Sequence, residues 1–272
     1  GAIEYVQTWG VQGRSEVWVG EQSGKTQDRG EVVPATDCVV ACASVAPKGN
    51  KKYVALTFDE GPSGATKQIL QVLKEKGVTA TFFLSGDAVE ASPATAKAIV
   101  DAGCEIGSNS YSDDSLKGQD REAVREQITK GTDAIKSATG VKTMLLRAPY
   151  AAFDEQNWID AMDLVSAVVS WNIDSGDWLL NGADEQVSTV LDSVTPGNIV
   201  LLTDRDECAE QTLEALPQII DGLIADGYKI VTLSDLVKTD TSLSKKLTSL
   251  TKVTMPKNAV FPQLSEDDDT TE

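Results

Sequence analysis

The sequence predicts an α/β fold, a distorted (β/α) barrel of about seven parallel strands with a small β-rich extension at its N-terminus. From Tyr53 onward, apolar runs of strand length alternate with stretches of helical periodicity. Most of the helical stretches end at a glycine or a proline. Strands that alternate with helices form a parallel sheet, and about seven such units favour a sheet that curls into a barrel.

The individual elements follow from this alternation. Seven apolar runs have strand length, and they lie at 53–58, 80–84, 105–107, 144–146, 165–171, 199–202 and 229–233. Five stretches between them repeat apolar residues with helical spacing, and they lead to Gly77, Gly103, Gly140, Pro196 and Gly227. The carboxyl ends of the strands are where barrels of this class place their chemistry.

Three regions are expected along the chain. Residues 1–50 form an N-terminal extension whose β-prone pieces at 16–19 and 31–33 predict a hairpin. Residues 51–240 form the barrel. Residues 241–272 form a C-terminal helix or tail, and the acidic run from Ser265 predicts a disordered end.

Composition narrows the classes of function. The chain has 272 residues, with 42 acidic against 24 basic side chains and a net charge of −18. Such an acidic surface argues against nucleic acid as a partner, because binding to phosphates depends on cationic side chains. No apolar run reaches the length of a membrane span. The oligomeric state is left open.

The chain contains no histidine. This excludes serine–histidine triads, cysteine–histidine pairs and zinc sites that use imidazole. Four cysteines are present, Cys38, Cys42, Cys104 and Cys208. They allow three pairings, and the sequence leaves open whether they form a disulfide or remain buried thiols.

Polar and aromatic segments follow five of the predicted strands. They are 57–62 (Thr-Phe-Asp-Glu-Gly-Pro), 107–113 (Gly-Ser-Asn-Ser-Tyr-Ser-Asp), 147–150 (Arg-Ala-Pro-Tyr), 171–178 (Trp-Asn-Ile-Asp-Ser-Gly-Asp-Trp) and 202–204 (Leu-Thr-Asp). Because these ends meet at one rim of a barrel, we expect the segments to form a single site.

In this order, the five segments resemble the motifs of the NodB-homology polysaccharide deacetylases of carbohydrate esterase family 4. The first motif of that family reads Thr-Phe-Asp-Asp-Gly-Pro, the third Arg-Pro-Pro-Tyr and the fourth Asp-x-x-Asp-Trp. Segments 80–86 and 103–107 are also similar to family sequences. The resemblance covers roughly residues 51–237 and implies a barrel of the same kind.

The resemblance implies a mechanism in which a divalent cation, typically zinc, polarises an acetamide carbonyl while its bound water attacks the carbon. Carried over residue by residue, it assigns a general base, an arginine partner, an oxyanion amide, an acid that tunes the charged network and two substrate-binding positions. These are, in that order, Asp59, Arg147, Tyr150, Asp174, and Pro149 with Trp178.

The sequence departs from the family at the positions that perform the chemistry. Glu60 replaces a ligand aspartate, and Asn109 and Asp113 stand where the resemblance puts two ligand histidines. Thr203 stands at the general-acid histidine, and losing a general acid costs roughly 10²–10⁴ in rate. The remaining oxygen donors prefer hard cations such as calcium, magnesium or manganese, so we expect no cofactor, or a weakly bound cation, where the family binds zinc.

These departures favour a catalytically impaired protein that recognises acetylated polysaccharide or peptidoglycan, placed at the cell surface or outside the cell by analogy with the family. The alternative is an active N- or O-deacetylase with an oxygen-ligand metal site, Asp59 as base, and water or Asp204 as proton source. A third possibility is a structural barrel within a larger surface assembly.

Simpler explanations exist for single residues. Asp59 and Glu60 could be acids at a helix N-cap. Arg147 and Asp174 could be a structural ion pair. Tyr150 and Trp178 could pack inside the barrel, as we expect for Trp158 and Trp171, and Asp113 could belong to a solvated loop.

Overall fold

A computed structural model describes residues 45–161 and 163–241 of the chain, apart from the side chains at 155, 158 and 159. Outside that range it describes the backbone of five strands. They are β1 (Gln7–Trp9), β2 (Arg14–Gly20), β3 (Thr26–Val32), β4 (Cys38–Val40) and β13 (Ala259–Val260).

The barrel is built from eight strands in the described part of the chain. They are β5 (Tyr53–Asp59), β6 (Thr81–Leu84), β7 (Glu105–Ser108), β8 (Leu145–Leu146), β9 (Ala167–Val168), β10 (Ile173–Asp174), β11 (Ile199–Thr203) and β12 (Lys229–Val231). They pair in parallel in the order β9-β8-β7-β6-β5-β11-β10, and β12 pairs with the first half of β5. The predicted distorted barrel of about seven parallel strands is confirmed.

One predicted strand differs from the prediction. The apolar run at 165–171 contributes only β9, and the separate strand β10 follows it. The carbonyl groups of Val169 and Ser170 accept hydrogen bonds from the Arg147 side chain. The strand is interrupted there because a side chain, and not a neighbouring strand, supplies these hydrogen bonds.

Eight α-helices lie among the described residues. They are α1 (Thr66–Lys76), α2 (Gly86–Ala91), α3 (Pro93–Asp101), α4 (Arg121–Thr139), α5 (Glu155–Ala161), α6 (Ala183–Leu191), α7 (Ala209–Ala225) and α8 (Leu233–Lys238). The five predicted helical stretches contain α1, α3, α4, α6 and α7, whereas the shorter helices were not predicted.

Helix α4 shows how local sequence sets a boundary. The Asp120 side chain caps its first turn by accepting a hydrogen bond from the amide of Ala123 at 2.8 Å. The helix ends where Gly140 adopts φ 77°, a left-handed conformation that glycine adopts without steric cost. The longest helix is therefore delimited by its own cap residues.

The main core lies between the central strands and the helices that cover them. Strands β6 and β11 are buried along their whole length, as expected for a parallel sheet with covered faces. Phe58 and Phe82 stack on neighbouring strands with ring centroids 4.9 Å apart. This packing holds the carboxyl end of β5 in a fixed position.

The strands near the two ends of the chain belong to two different sheets. Strand β1 pairs antiparallel with β4, which continues the barrel sheet by pairing in parallel with β9. Strand β2 pairs antiparallel with β3 and with β13 in a second sheet. The predicted helical and disordered parts of 241–272 lie outside the described residues, apart from β13.

Two of the four cysteines have described side chains. Cys104 and Cys208 are buried thiols without a disulfide partner, and burial raises the pKa of Cys208 to about 11. The side chains of Cys38 and Cys42 lie outside the described residues. Within the described part, no helix combines the length and the apolar character needed to cross a membrane.

Candidate functional site

The strand ends that the sequence singled out converge on one cleft of about 340 Å³. Eight of the ten predicted site residues are among those that line it. The lining residues are Asp59, Glu60, Asn109, Asp113, Pro149, Tyr150, Trp171, Trp178, Leu201, Thr203 and Arg205. The other two, Arg147 and Asp174, contact lining residues from behind.

Arg147 and Asp59 form the ion pair at the base of the cleft. Nη1 of Arg147 lies 2.8 Å from Oδ1 of Asp59, and the Arg147 side chain is completely buried. The guanidinium also donates to Oγ1 of Thr57 at 2.7 Å and to the carbonyls of Val169 and Ser170 at 3.3 and 2.9 Å. These contacts leave the guanidinium a single orientation.

The contacts around this pair exclude two simpler explanations for its residues, a helix cap and an ion pair between Arg147 and Asp174. The N-cap of α1 is Ala65, so Asp59 and Glu60 do not cap that helix. An Arg147–Asp174 ion pair is also wrong, because the Asp174 carboxylate instead accepts hydrogen bonds from the amide of Gly176 and the indole of Trp178.

Aromatic rings enclose the buried guanidinium. The centre of the Arg147 guanidinium lies 4.3 Å from the Phe83 ring and 5.5 Å from the Trp171 ring. Burial raises the pKa of Asp59, and the neighbouring Arg147 opposes that effect. The pair therefore sits in an environment with little access for water.

Backbone strain collects around the cleft. Six non-glycine residues in the described part of the chain have positive φ. Three of them belong to the strand-end segments at 57–62, 107–113 and 147–150, namely Glu60 at 73°, Ser110 at 64° and Tyr150 at 62°. Such conformations cost free energy and persist where the surrounding packing enforces them. Two of the three residues line the cleft, so its shape is held at an energetic cost.

Glu60 pairs with a cation that the sequence analysis did not single out. Its Oε2 lies 3.4 Å from Nη1 of Arg205, which is half-exposed. Burial raises the pKa of Glu60 to about 7, and the nearby Asp113 raises it further while Arg205 lowers it. Arg205 follows β11 by two residues, and that position is the signal that could have identified it.

The two positions that the resemblance assigns to histidine ligands have other partners. The buried Asn109 amide donates from Nδ2 to the carbonyl of Arg147 at 2.8 Å. Oδ2 of Asp113 accepts the Tyr150 hydroxyl at 2.9 Å. Within the described ranges, no group of three or more histidine, cysteine, aspartate or glutamate residues could hold a metal ion.

Thr203 contacts an acid that the sequence analysis missed. The Thr203 amide and hydroxyl donate to the two carboxylate oxygens of Asp177, at 2.6 and 3.0 Å. Asp177 is completely buried, and burial raises its pKa to about 6 although the bonds from Thr203 oppose the shift. The second acid of the Asp174-x-x-Asp177 segment was a signal available in the sequence.

Asp204, which we considered as a proton source, lies outside the cleft lining. Its carboxylate accepts hydrogen bonds from the hydroxyls of Ser63 at 2.7 Å and Thr66 at 2.6 Å. The side chain is buried and ties the turn after β5 to the end of β11. This geometry gives Asp204 a structural part in holding the two strand ends together.

Two aromatic side chains form the rim of the cleft. Trp178 is 57% exposed and Tyr150 is 69% exposed, so the explanation that they pack inside the barrel is wrong. Nε1 of Trp178 donates to Asp174 at 3.1 Å, which fixes the orientation of the indole. Trp171 packs against a buried cluster as expected, and the side chain of Trp158 lies outside the described residues.

Comparison with known sequences connects this cleft to one family. The sequence profile of the polysaccharide deacetylase family matches residues 46–165. A peptidoglycan-N-acetylglucosamine deacetylase of Bacillus cereus is 32% identical over 79% of this chain and 79% of its own length. A bifunctional xylanase/deacetylase of Pseudobutyrivibrio xylanivorans is 38% identical over 69% of this chain, which spans 31% of that protein.

Solved structures of the same family share the fold of this chain. A pseudoenzyme of carbohydrate esterase family 4 from Bacillus anthracis superposes with a TM-score of 0.64 at 32% identity, over 69% of this chain and 66% of that chain. A mutant of that pseudoenzyme, described as having restored enzymatic activity, superposes with the same TM-score at 34% identity, over 69% and 68% of the two chains.

Proposed function

Because this chain belongs to the polysaccharide deacetylase family, we propose that it binds acetylated glycans at the cell surface and has little or no deacetylase activity. The observation that carries the proposal is the pairing of Thr203 with Asp177 below an exposed aromatic rim. The rim residues Tyr150 and Trp178 can pack against a sugar ring, whereas a threonine hydroxyl cannot supply a proton near neutral pH.

The aromatic rim supports glycan binding. Soluble proteins seldom expose large aromatic side chains together unless the surface binds something. Trp178 and Tyr150 are both more than half exposed at the mouth of a cleft of about 340 Å³, a volume suited to one or two sugar units. In this proposal Pro149 and Trp178 contact the sugar directly.

Members of the family generally depend on a metal ion, and three contacts argue against one here. Glu60 is paired with Arg205, Asp113 accepts the Tyr150 hydroxyl, and Asn109 is held by the Arg147 carbonyl. A divalent cation would have to displace the guanidinium and would gain no imidazole ligand in return. The residues present therefore do not fit the cation of the family.

Binding and turnover can be measured on the same preparation. Calorimetric titration with N-acetylated chito-oligosaccharides and with peptidoglycan fragments is expected to show binding at millimolar ligand or below. Acetate release from the same ligands is expected to be at least about 10²-fold slower than in a family member with all three histidines. No binding of either glycan would contradict the recognition function, and turnover at the rate of that enzyme would contradict the impairment.

The second candidate function is metal-dependent N- or O-deacetylation, and the Asp59–Arg147 pair favours it. Asp59 lines the cleft, and its carboxylate is oriented by the buried Arg147, which are two features that a general base would require. An O-acetyl ester is the easier substrate, because its leaving group needs less help from an acid than an amine does. Acetate release that disappears with chelator and in Asp59→Asn would establish this function.

The third candidate is a structural part in a surface assembly, with residues 1–50 and the C-terminal tail as attachment points. We include in the proposal the division into this extension, the barrel at 51–240 and the tail. A stable protein partner recovered with the full chain, while glycans stay unbound, would favour the third candidate over the first.

A further inference from the structure

Arg205 brings a positive charge into the open part of the cleft. It is the one lysine or arginine among the described lining residues. Its Nη1 lies 3.4 Å from Glu60 and its Nε lies 3.6 Å from Glu207, and the side chain is 43% exposed. The other guanidinium nearby, that of Arg147, is completely buried and is used by Asp59 and by backbone carbonyls.

We propose that the Arg205 guanidinium is the resident cation of this cleft: it neutralises the Glu60 and Asp113 carboxylates and donates hydrogen bonds to a carbonyl oxygen of a bound N-acetylated sugar. The first half, the neutralisation of the two carboxylates by Arg205, does not require a bound ligand. The second half rests on the proposed glycan-binding function, since it names the group of the sugar that the cleft recognises.

Charge balance around the cleft supports the first half. Asp59 is compensated by Arg147, so the uncompensated carboxylates at the cleft wall are Glu60 and Asp113. Asp113 is close enough to raise the pKa of Glu60, and a cation paired with Glu60 opposes that repulsion. Arg205 supplies that cation from the chain itself, and a divalent ion entering the same space would be repelled by it.

Donor geometry supports the second half. A guanidinium has three nitrogens and five N–H groups in one plane, and it has no acceptor. The two ion pairs use Nη1 and Nε, which leaves Nη2 for a neutral oxygen ligand. An acetamide carbonyl is such a ligand, and the aromatic rim formed by Tyr150 and Trp178 lies at the same cleft. A deacetylated sugar carries an ammonium group where the acetamide was, and that group would be repelled by the positive charge of Arg205.

The first half is tested by titrating the full chain with Mn²⁺ and with Zn²⁺, each as the metal alone, using calorimetry. The native chain and Arg205→Lys, which keeps the charge, are expected to bind neither ion at submillimolar concentration. Arg205→Met is expected to bind at least tenfold more tightly, and adding Glu60→Gln is expected to remove that gain. Lys229→Met, which removes an exposed cation on β12, is the matched control and is expected to behave as the native chain.

Two results would overturn the charge assignment. One is micromolar binding of a divalent ion to the native chain that Glu60→Gln abolishes. The other is equal metal affinity in the native chain and in Arg205→Met. Circular dichroism and thermal unfolding of each variant establish that the chains compared are folded, so that a loss of fold is not mistaken for either result.

The second half is tested with chito-oligosaccharide, fully N-acetylated or fully deacetylated, in the presence of EDTA. The native chain is expected to bind the acetylated ligand at least tenfold more tightly than the deacetylated one, and the chelator is expected to have no effect. Arg205→Met is expected to lose most of this preference, whereas Lys229→Met keeps it.

The two proposals fail in different ways. If the native chain binds both ligands but Arg205→Met keeps the full preference, the role of Arg205 is wrong and the glycan-binding function stands. If the native chain binds neither ligand, the glycan-binding function is wrong and the assignment of Arg205 as the resident cation is decided by the metal titrations. If chelator abolishes glycan binding, the cleft uses a divalent ion and the inference is overturned.

Discussion

The Asp177 carboxylate accepts both hydrogen bonds that Thr203 can donate, one from the backbone amide at 2.6 Å and one from the hydroxyl at 3.0 Å. This contact holds the end of β11 against the segment after β10. Because the carboxylate is completely buried and its hydrogen-bond partners are neutral, its charge is costly to keep. That cost makes the pair sensitive to pH.

We expect part of the stability of the native chain to be lost as pH rises through this group. The pKa of Asp177 in the folded protein is about 6, compared with 3.8 for an unperturbed aspartate. A raised pKa means that the folded state binds the proton more tightly, so the contribution of Asp177 to stability falls between about pH 4 and pH 6 and then levels off. The difference corresponds to up to about 3 kcal/mol.

Urea unfolding from pH 4 to pH 8 measures this effect. Asp177→Asn is expected to flatten the decline, even if it lowers stability at every pH through its changed hydrogen bonds. Glu214→Gln, which neutralises an exposed acid on α7, is the control and is expected to keep the decline. An unchanged slope in Asp177→Asn would contradict the assignment.

Replacing Arg147 is expected to destabilise the fold strongly. Arg147→Met leaves Asp59 without its partner and leaves the carbonyls of Val169 and Ser170 without donors. Removing one partner of a buried ion pair costs about 3–5 kcal/mol. Arg147→Lys keeps the charge but cannot supply the same set of hydrogen bonds, so we expect it to recover only part of the loss.

Chemical denaturation with the double variant Asp59→Asn/Arg147→Met separates charge from packing. It is expected to be more stable than Arg147→Met alone, because no unpaired carboxylate remains. Additive losses in the double variant would mean that the two side chains do not interact in solution.

Gly61→Ala is expected to disturb the turn that joins two strand ends. A Cβ at this position would overlap with Oδ2 of Asp204, whose carboxylate accepts hydrogen bonds from Ser63 and Thr66. Relieving that overlap requires movement of a buried carboxylate, and we expect a loss of about 1–3 kcal/mol in unfolding free energy.

Gly64→Ala is the matched control for this substitution. A Cβ there meets the exposed Asp206 side chain at 2.8 Å, and that side chain can move into solvent. The expected loss is about 0.5 kcal/mol or less by the same urea measurement. Equal losses at Gly61 and Gly64 would show that the buried carboxylate adapts without cost.

Trp178→Ala is expected to weaken glycan binding at least tenfold while leaving stability nearly unchanged. The indole is 57% exposed, so its removal opens no cavity in the core, whereas a sugar loses the face it packs against. Leu179→Ala removes a neighbouring side chain that is 51% exposed and does not line the cleft, and it serves as the control. Calorimetric titration with one chito-oligosaccharide compares the three chains.

The combined substitution Asn109→His, Asp113→His and Thr203→His is expected to create zinc binding. Positions 109 and 113 line the cleft beside Glu60, so the new imidazoles share a wall with its carboxylate. Adding Arg205→Met is expected to tighten zinc binding by a further factor of about ten, since the competing cation is gone. Zinc titration followed by elemental analysis measures the zinc affinity of the triple variant and of the triple variant with Arg205→Met. No zinc uptake by either variant would mean that these positions do not converge in solution.

Much of the barrel could be predicted because its signals are local. Apolar runs, helical spacing and glycines at helix C-termini are properties of residues that are close in the sequence. They identified the strand ends at Asp59, Arg147 and Thr203. The run at 165–171 was predicted too long because the hydrogen bonds that interrupt it come from Arg147, 22 residues away from Val169 in the sequence.

The sequence by itself determined the family, the absence of imidazole and which strand ends carry polar groups, because composition and motif order need no three-dimensional contact. Only the tertiary structure decided which of those groups meet. Arg147 reaches Asp59 across 88 residues and Thr203 reaches Asp177 across 26, and Arg205 lies beside Glu60 because β11 pairs with β5. Such pairings depend on the register of parallel strands, which brings distant residues together and which the local pattern does not encode.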